Sequence, residues 1–113
     1  MTDLEYLNHA EKALGAIEMA CDHINEALDV DIDNQRTGSM VTLSFANRSQ
    51  IIVNLQKPLQ EIWMAAKAGG FHYKFDGDLW LDTKDGREFF SVLSLVASQQ
   101  AGQQVIFSST FNS

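Results

Sequence analysis

Leu7, Ala10, Leu14, Ile17, Cys21, Ile24 and Leu28 recur three, four or seven residues apart, the spacing that keeps one stripe of an α-helix apolar. The pattern predicts one long amphipathic helix from Thr2 to about Leu28. The period then drops to two. In DVDIDNQ (residues 29–35) Val30 and Ile32 alternate with Asp29, Asp31 and Asp33, which reads as a strand with its apolar side chains on one face and three carboxylates on the other. After a turn at Thr37-Gly38-Ser39, Val41, Leu43 and Phe45 alternate with Thr42 and Ser44, and Ala46-Asn47-Arg48-Ser49 returns the chain into Gln50 to Leu55 as a hairpin partner. Pro58 breaks that run. LQEIWMAAK (59–67) has the Ala, Met and Lys of a helix but the neighbours of a strand, and its pattern fits either. Gly69-Gly70 leads into strand 71–75, Asp76-Gly77-Asp78 turns the chain, and Leu79-Trp80-Leu81 completes a second hairpin. Asp85-Gly86-Arg87-Glu88 has the form of a capping box. It predicts a helix with Phe89, Leu93, Val96 and Gln100 on one face, ending near Gly102. Val105-Ile106-Phe107 reads as a last short strand.

Helix, about six strands, helix and strand predict an α+β fold, a two-layer sandwich with both helices on one face of a mostly antiparallel sheet. The other face is then left for solvent or a partner. At 113 residues the chain suits one domain, taken as residues 1–107 followed by a polar C-terminal tail, 108–113, expected to be disordered at its end. No apolar run reaches the roughly 18 to 20 residues that span a bilayer, and the N-terminus lacks a basic stretch followed by an apolar one. A cytoplasmic protein is the expectation. The single cysteine, Cys21, allows neither an internal disulfide nor a zinc site of several thiolates. Its place in the apolar stripe of the first helix makes it a buried small hydrophobe.

Charge changes this picture more than composition does. The formal net charge is −7, and residues 1–33 carry nine acids against one base, Lys12, a balance of −8. The rest of the chain is close to neutral. Glu18, Asp22 and Glu26 stand four apart on the first helix, and Glu11 lies seven before Glu18, so these carboxylates share a stripe. Acids near a helix C-terminus oppose its macrodipole, and like charges along a strand repel. Such a pole disfavours nucleic acid and anionic membranes, and favours cations or a basic protein surface. Carboxylate oxygens are hard ligands that suit iron, manganese, calcium or magnesium. An EF-hand is excluded, because its sixth and twelfth positions would be Asn34 and Met40. His23 lies close enough in sequence to Asp22 and Glu26 to join an ion site, whereas His9 and His72 read as surface residues. No HxxxH, HExxH, CxxC or GxSxG motif or phosphate-cradling glycine loop occurs, and no catalytic constellation stands out. On the sheet, Asn54 and Gln56 alternate ahead of Trp63, a pattern equally suited to a protein-binding surface with a tryptophan hot spot and to a tryptophan in the core.

Taken together, VDID (30–33), SQIIVNLQKPLQEIWMAAKAGGFHYKF (49–75) and QQAGQQVIF (99–107), in this order behind an acidic first helix, resemble the frataxin family, and most closely its bacterial branch. The resemblance covers nearly the whole chain. It implies a helix, sheet, helix sandwich in which LQEIWMAAK is largely strand. It also implies a role in iron–sulfur cluster assembly, with ferrous or ferric iron held weakly on the acidic ridge and docking on a cysteine desulfurase and its scaffold protein. The implied iron ligands are Glu18, Asp22, Asp29, Asp31 and Asp33, with Glu11, His23 and Glu26 as additional candidates. The implied protein-binding positions are Asn54, Gln56 and Trp63. Bacterial relatives are often richer in acids where Met19, His23 and Gln35 stand here, and carry Arg where Leu55 stands. No organic cofactor is expected, and the protein is expected to be monomeric without iron. It is read as a binding and regulatory protein rather than an enzyme. A ferroxidase, proposed for this family, ranks second, because such centres use inward-facing Glu and Glu-x-x-His ligands around a buried di-iron site. A purely protein-docking acidic module with incidental metal binding is the third reading.

Overall fold

The computed structural model describes residues 1–109. Helix α1 spans Asp3–Ala27, and a capping box sets its start: the Glu5 amide donates to Thr2 Oγ1 (3.1 Å) and the Thr2 amide donates to Glu5 Oε1 (2.8 Å). Six strands follow: β1 Asp33–Thr37, β2 Met40–Ser44, β3 Gln50–Gln56, β4 Glu61–Ala66, β5 Gly69–Phe75 and β6 Trp80–Asp82. Each pairs antiparallel with the next, giving a meander in the order β1-β2-β3-β4-β5-β6. Helix α2, Phe89–Ala101, closes the fold and ends at Gly102, which adopts the left-handed conformation (φ 76°) that favours glycine.

Segment 59–67 resolves as strand. Pro58 holds a single 3-10 turn, Gln60 reverses the chain with φ 52°, and Ile62 and Met64 then alternate into the core. Helical propensity in this run yields to cross-strand pairing, with Ile62 placed between Leu55 and Tyr73, and Met64 between Val53 and Phe71. Only one face of the sheet is buried. Val41, Leu43, Ile51, Val53, Ile62, Met64 and Tyr73 form one cluster with Leu14, Ile17 and Cys21 of α1 and Phe89, Leu93 and Val96 of α2, so both helices cover that face. The opposite face stays open.

Three expectations are corrected. The acidic strand does not begin at Asp29: β1 starts at Asp33, and Asp29 and Asp31 lie in the connection from α1. The reason is Asn25. Its side chain takes both main-chain groups of Ile32, accepting from the amide (3.0 Å) and donating to the carbonyl (2.7 Å), so this backbone is bonded to the helix instead of to β2. The alternation of exposure survives nevertheless, with Ile32 buried and Asp29, Asp31 and Asp33 exposed. The capping box foreseen at Asp85 and Glu88 is also absent. The Asp82 amide donates to the Arg87 carbonyl (2.8 Å) and Leu81 bridges Glu88, which holds the chain extended until Glu88 itself becomes the N-cap, accepting from the amides of Phe90 (2.7 Å) and Ser91 (3.0 Å). Finally, 105–107 joins no sheet. Ser98 Oγ accepts from the Val105 amide (2.9 Å) and donates to its carbonyl (3.1 Å), and Ser94 Oγ accepts from the Phe107 amide (2.8 Å) with its own proton between the Phe90 carbonyl (2.8 Å) and the Phe107 carbonyl (3.2 Å). Two hydroxyls one helical turn apart thus replace a strand partner. Of the foreseen tail, residues 110–113 lie outside the described residues.

Candidate functional site

The acidic candidates divide according to what lies beside them. In β1, Asn34 pairs with Leu43 and Arg36 with Val41, so these two side chains share the helix-facing side of the sheet with buried residues. Arg36 there reaches two carboxylates of α1 at once. Its Nη1 donates to Glu18 Oε1 at 2.5 Å and its Nη2 pairs with Glu11, while its Nε donates to the Gly38 carbonyl at 3.0 Å. Asn34 Nδ2 donates to Asp22 at 3.1 Å. The helix stripe is therefore largely answered from within the fold.

Asp29, Asp31 and Asp33 are not. All three are exposed, and their carboxylates make no hydrogen bond or ion pair among the described residues. Asp29 and Asp31 border an open groove of about 760 Å³ that also meets Asn47 and the C-terminal turn of α2. That turn carries no basic residue, so the negative end of its macrodipole adds to the field of the carboxylates. Such a groove attracts cations, with oxygen donors on one side and room for water to complete a coordination shell. Among the described residues no three His, Cys, Asp or Glu side chains converge as a metal-binding cluster. Glu26 and His23 are exposed on α1. Cys21 offers no ligand: it is fully buried, burial pushes its thiol pKa up, and its sulfur donates to the Ile32 carbonyl (3.3 Å).

The second candidate surface is the open face of the sheet. Thr37, Met40, Asn54, Trp63 and His72 stand opposite one another across five strands. Trp63 is half-buried on this face, so the choice left open by the sequence falls to the surface, because Ile62 and Met64 hold the core positions. Its ring stacks on His72 (centroids 4.2 Å apart, planes 6° apart), and its Nε1 donates to Glu61 Oε1 (2.8 Å). Glu61 is buried beneath them with Lys74 Nζ 3.9 Å from its other oxygen. Gln56 Nε2 donates to Asn54 Oδ1 (3.4 Å). Asn54, Gln56 and Trp63 are thus brought together on the open face. Glu61 and His72 join them unforeseen, although the β4–β5 hairpin register could have placed His72 against Trp63. Met19 and Gln35 are exposed, whereas Leu55 turns to the helix-covered side and packs on the core.

Comparison with known proteins bears on the fold and the family. A family profile described as a frataxin-like domain matches residues 1–103. The chain is similar to the "Iron-sulfur cluster assembly protein CyaY" of a Polaromonas species, with 73% identity over 95% of this chain and 92% of that one. It is also similar to the protein of the same name from Variovorax paradoxus, with 64% identity over 95% of this chain and 97% of that one. Among solved structures, frataxin from Psychromonas ingrahamii superposes with a TM-score of 0.80 at 35% identity, covering 96% of this chain and 99% of that one.

Proposed function

The chain belongs to the frataxin family, and from that premise we propose that it serves iron–sulfur cluster assembly as a cytoplasmic iron-binding regulator that docks on the cysteine desulfurase and scaffold machinery. Iron is cargo here, held weakly and from one side. The observation that carries this reading is the trio Asp29, Asp31 and Asp33, exposed carboxylates without a partner among the described residues, next to a helix whose own acids are mostly paired. Hard oxygen donors in that arrangement favour a multiply charged cation with water in its remaining positions. Glu18 and Asp22, also implied as ligands, are the carboxylates that Arg36 and Asn34 already hold. The Trp63–His72 stack supplies the docking half of the reading, a flat aromatic platform with the amides of Asn54 and Gln56 at its side. The carboxylates face outward rather than around a buried di-iron site, which favours binding and delivery over ferroxidase chemistry.

An anaerobic Fe(II) titration followed by amide NMR, on the native chain and on an Asp29→Asn, Asp31→Asn, Asp33→Asn variant, tests this. Broadening centred on residues 29–33 and lost in the variant is expected. A response elsewhere, or one that survives the substitutions, would sink the trio as an iron site and leave it as a docking surface for a basic partner. Without iron the variant is expected to be the more stable chain, because each Asn removes a like charge from the self-repelling acidic pole.

A further inference from the structure

Glu11 and Glu18 stand seven residues apart, two turns and about 10.5 Å along α1. One guanidinium spans them. Arg36 places a separate nitrogen on each carboxylate and its third on the Gly38 carbonyl, so the side chain is fixed at both its fork and its base. A guanidinium is planar, always charged and shaped for two carboxylates at once, and it is less strongly hydrated than an ammonium group. With 28% of the Arg36 side chain and 31% of the Glu18 side chain exposed, that pair is also better shielded from salt than a fully exposed pair is. An incoming cation at Glu11 or Glu18 would have to displace that guanidinium and leave it facing the sheet edge without its partners.

We propose that Arg36 is a specificity-determining residue that closes Glu11 and Glu18 to external cations and so decides which part of the acidic pole can be loaded. This rests on the reading of that pole as a cation-binding surface. The same carboxylates, stripped of Arg36, would be as suitable a ligand pair as the open trio. Asn34 does the lesser version of the same work at Asp22, with a neutral amide that shields without neutralising.

Mn(II) serves as the probe, a hard paramagnetic ion that broadens nearby amides without redox chemistry. It is titrated into the full native chain, into Arg36→Gln, and into a Glu11→Gln, Glu18→Gln variant that keeps Arg36. In the native chain broadening is expected to be strongest at 29–33, with the amides around Glu11 and Glu18 affected only by their distance from that site. In Arg36→Gln, new broadening is expected around 11 and 18. The double Gln variant is expected to keep its strongest broadening at 29–33, because the carboxylates it lacks were closed. Broadening centred on 11 and 18 in the native chain, an Arg36→Gln chain whose amides there respond no more than in the native chain, or a double variant whose strongest broadening leaves 29–33 would each overturn the assignment. Sharp amides at 29–33 in the native chain would count instead against the proposed function, while residues 11 and 18 still report on Arg36.

Discussion

Gly15 sits in the interior of α1, on the same helix as the acidic stripe, and a Cβ built there meets nothing within 4 Å. A glycine in mid-helix costs backbone entropy with no packing in return. Gly15→Ala is therefore expected to stabilise the chain by about 0.5 to 1 kcal/mol, read as a higher midpoint at unchanged slope in urea unfolding. A lower midpoint would mean that the position carries a function in the glycine itself. At this same scale the site depended on side chains that charge counting overlooks. Arg36 is one base among eight in the chain, and only its direction, toward α1, makes it the counter-ion of Glu11 and Glu18.

Among the elements, the C-terminal segment shows how a helix can act as a strand partner. Ser98 satisfies both main-chain groups of Val105, whose side chain is 2% exposed. Ser98→Ala leaves a buried amide and carbonyl without their hydroxyl, which costs about 1 to 3 kcal/mol for a buried polar group left unsatisfied. The loss is expected in chemical denaturation together with faster hydrogen exchange at Val105, and an unchanged exchange rate there would contradict the role given to this hydroxyl. Gln100 works similarly at the other side of α2. Its Nε2 donates to Ser49 Oγ (3.0 Å) and the Gln50 carbonyl (3.2 Å), and its Oε1 accepts from the Lys67 amide (3.0 Å), so one buried side chain ties α2 to two hairpin ends. Its place on the apolar face of the helix, beside Leu93 and Val96, was visible in the periodicity. Its three partners were not.

For the whole molecule, the two tyrosines of the chain, Tyr6 and Tyr73, are both fully buried between the layers. Burial pushes the Tyr6 phenol up to about 12, its hydroxyl donating to the Glu61 carbonyl (2.7 Å) in the protonated form, and pushes Tyr73 higher still, where the hydroxyl has no hydrogen-bond partner among the described residues. Both groups are ordinary phenols, with pKa near 10, in the unfolded chain. The folded state then holds more protons than the unfolded state above pH 10, so stability falls as pH rises from about 10 through 12. Absorbance at 295 nm is expected to show no tyrosinate near pH 10 while the chain is folded, and then a rise that coincides with loss of helix signal. Tyrosinate appearing near pH 10 in a chain that keeps its helices would refute this burial.

By itself the amino-acid sequence determined the helices, the hairpins and the acidic pole, because hydrophobic period, turn residues and net charge are local properties of the chain. DVDID illustrates the limit. Its alternation predicted which side chains are exposed, yet where the ladder starts depended on Asn25 reaching Ile32, seven residues away. LQEIWMAAK became strand through its register with β3 and β5, and the same register turned Trp63 outward onto His72. Which acids remain open was decided by Arg36, 18 and 25 residues from its two partners. A carboxylate's availability to a cation depends on what stands within a few ångströms of it, and the packing of α1 against the edge of the sheet supplies that neighbour.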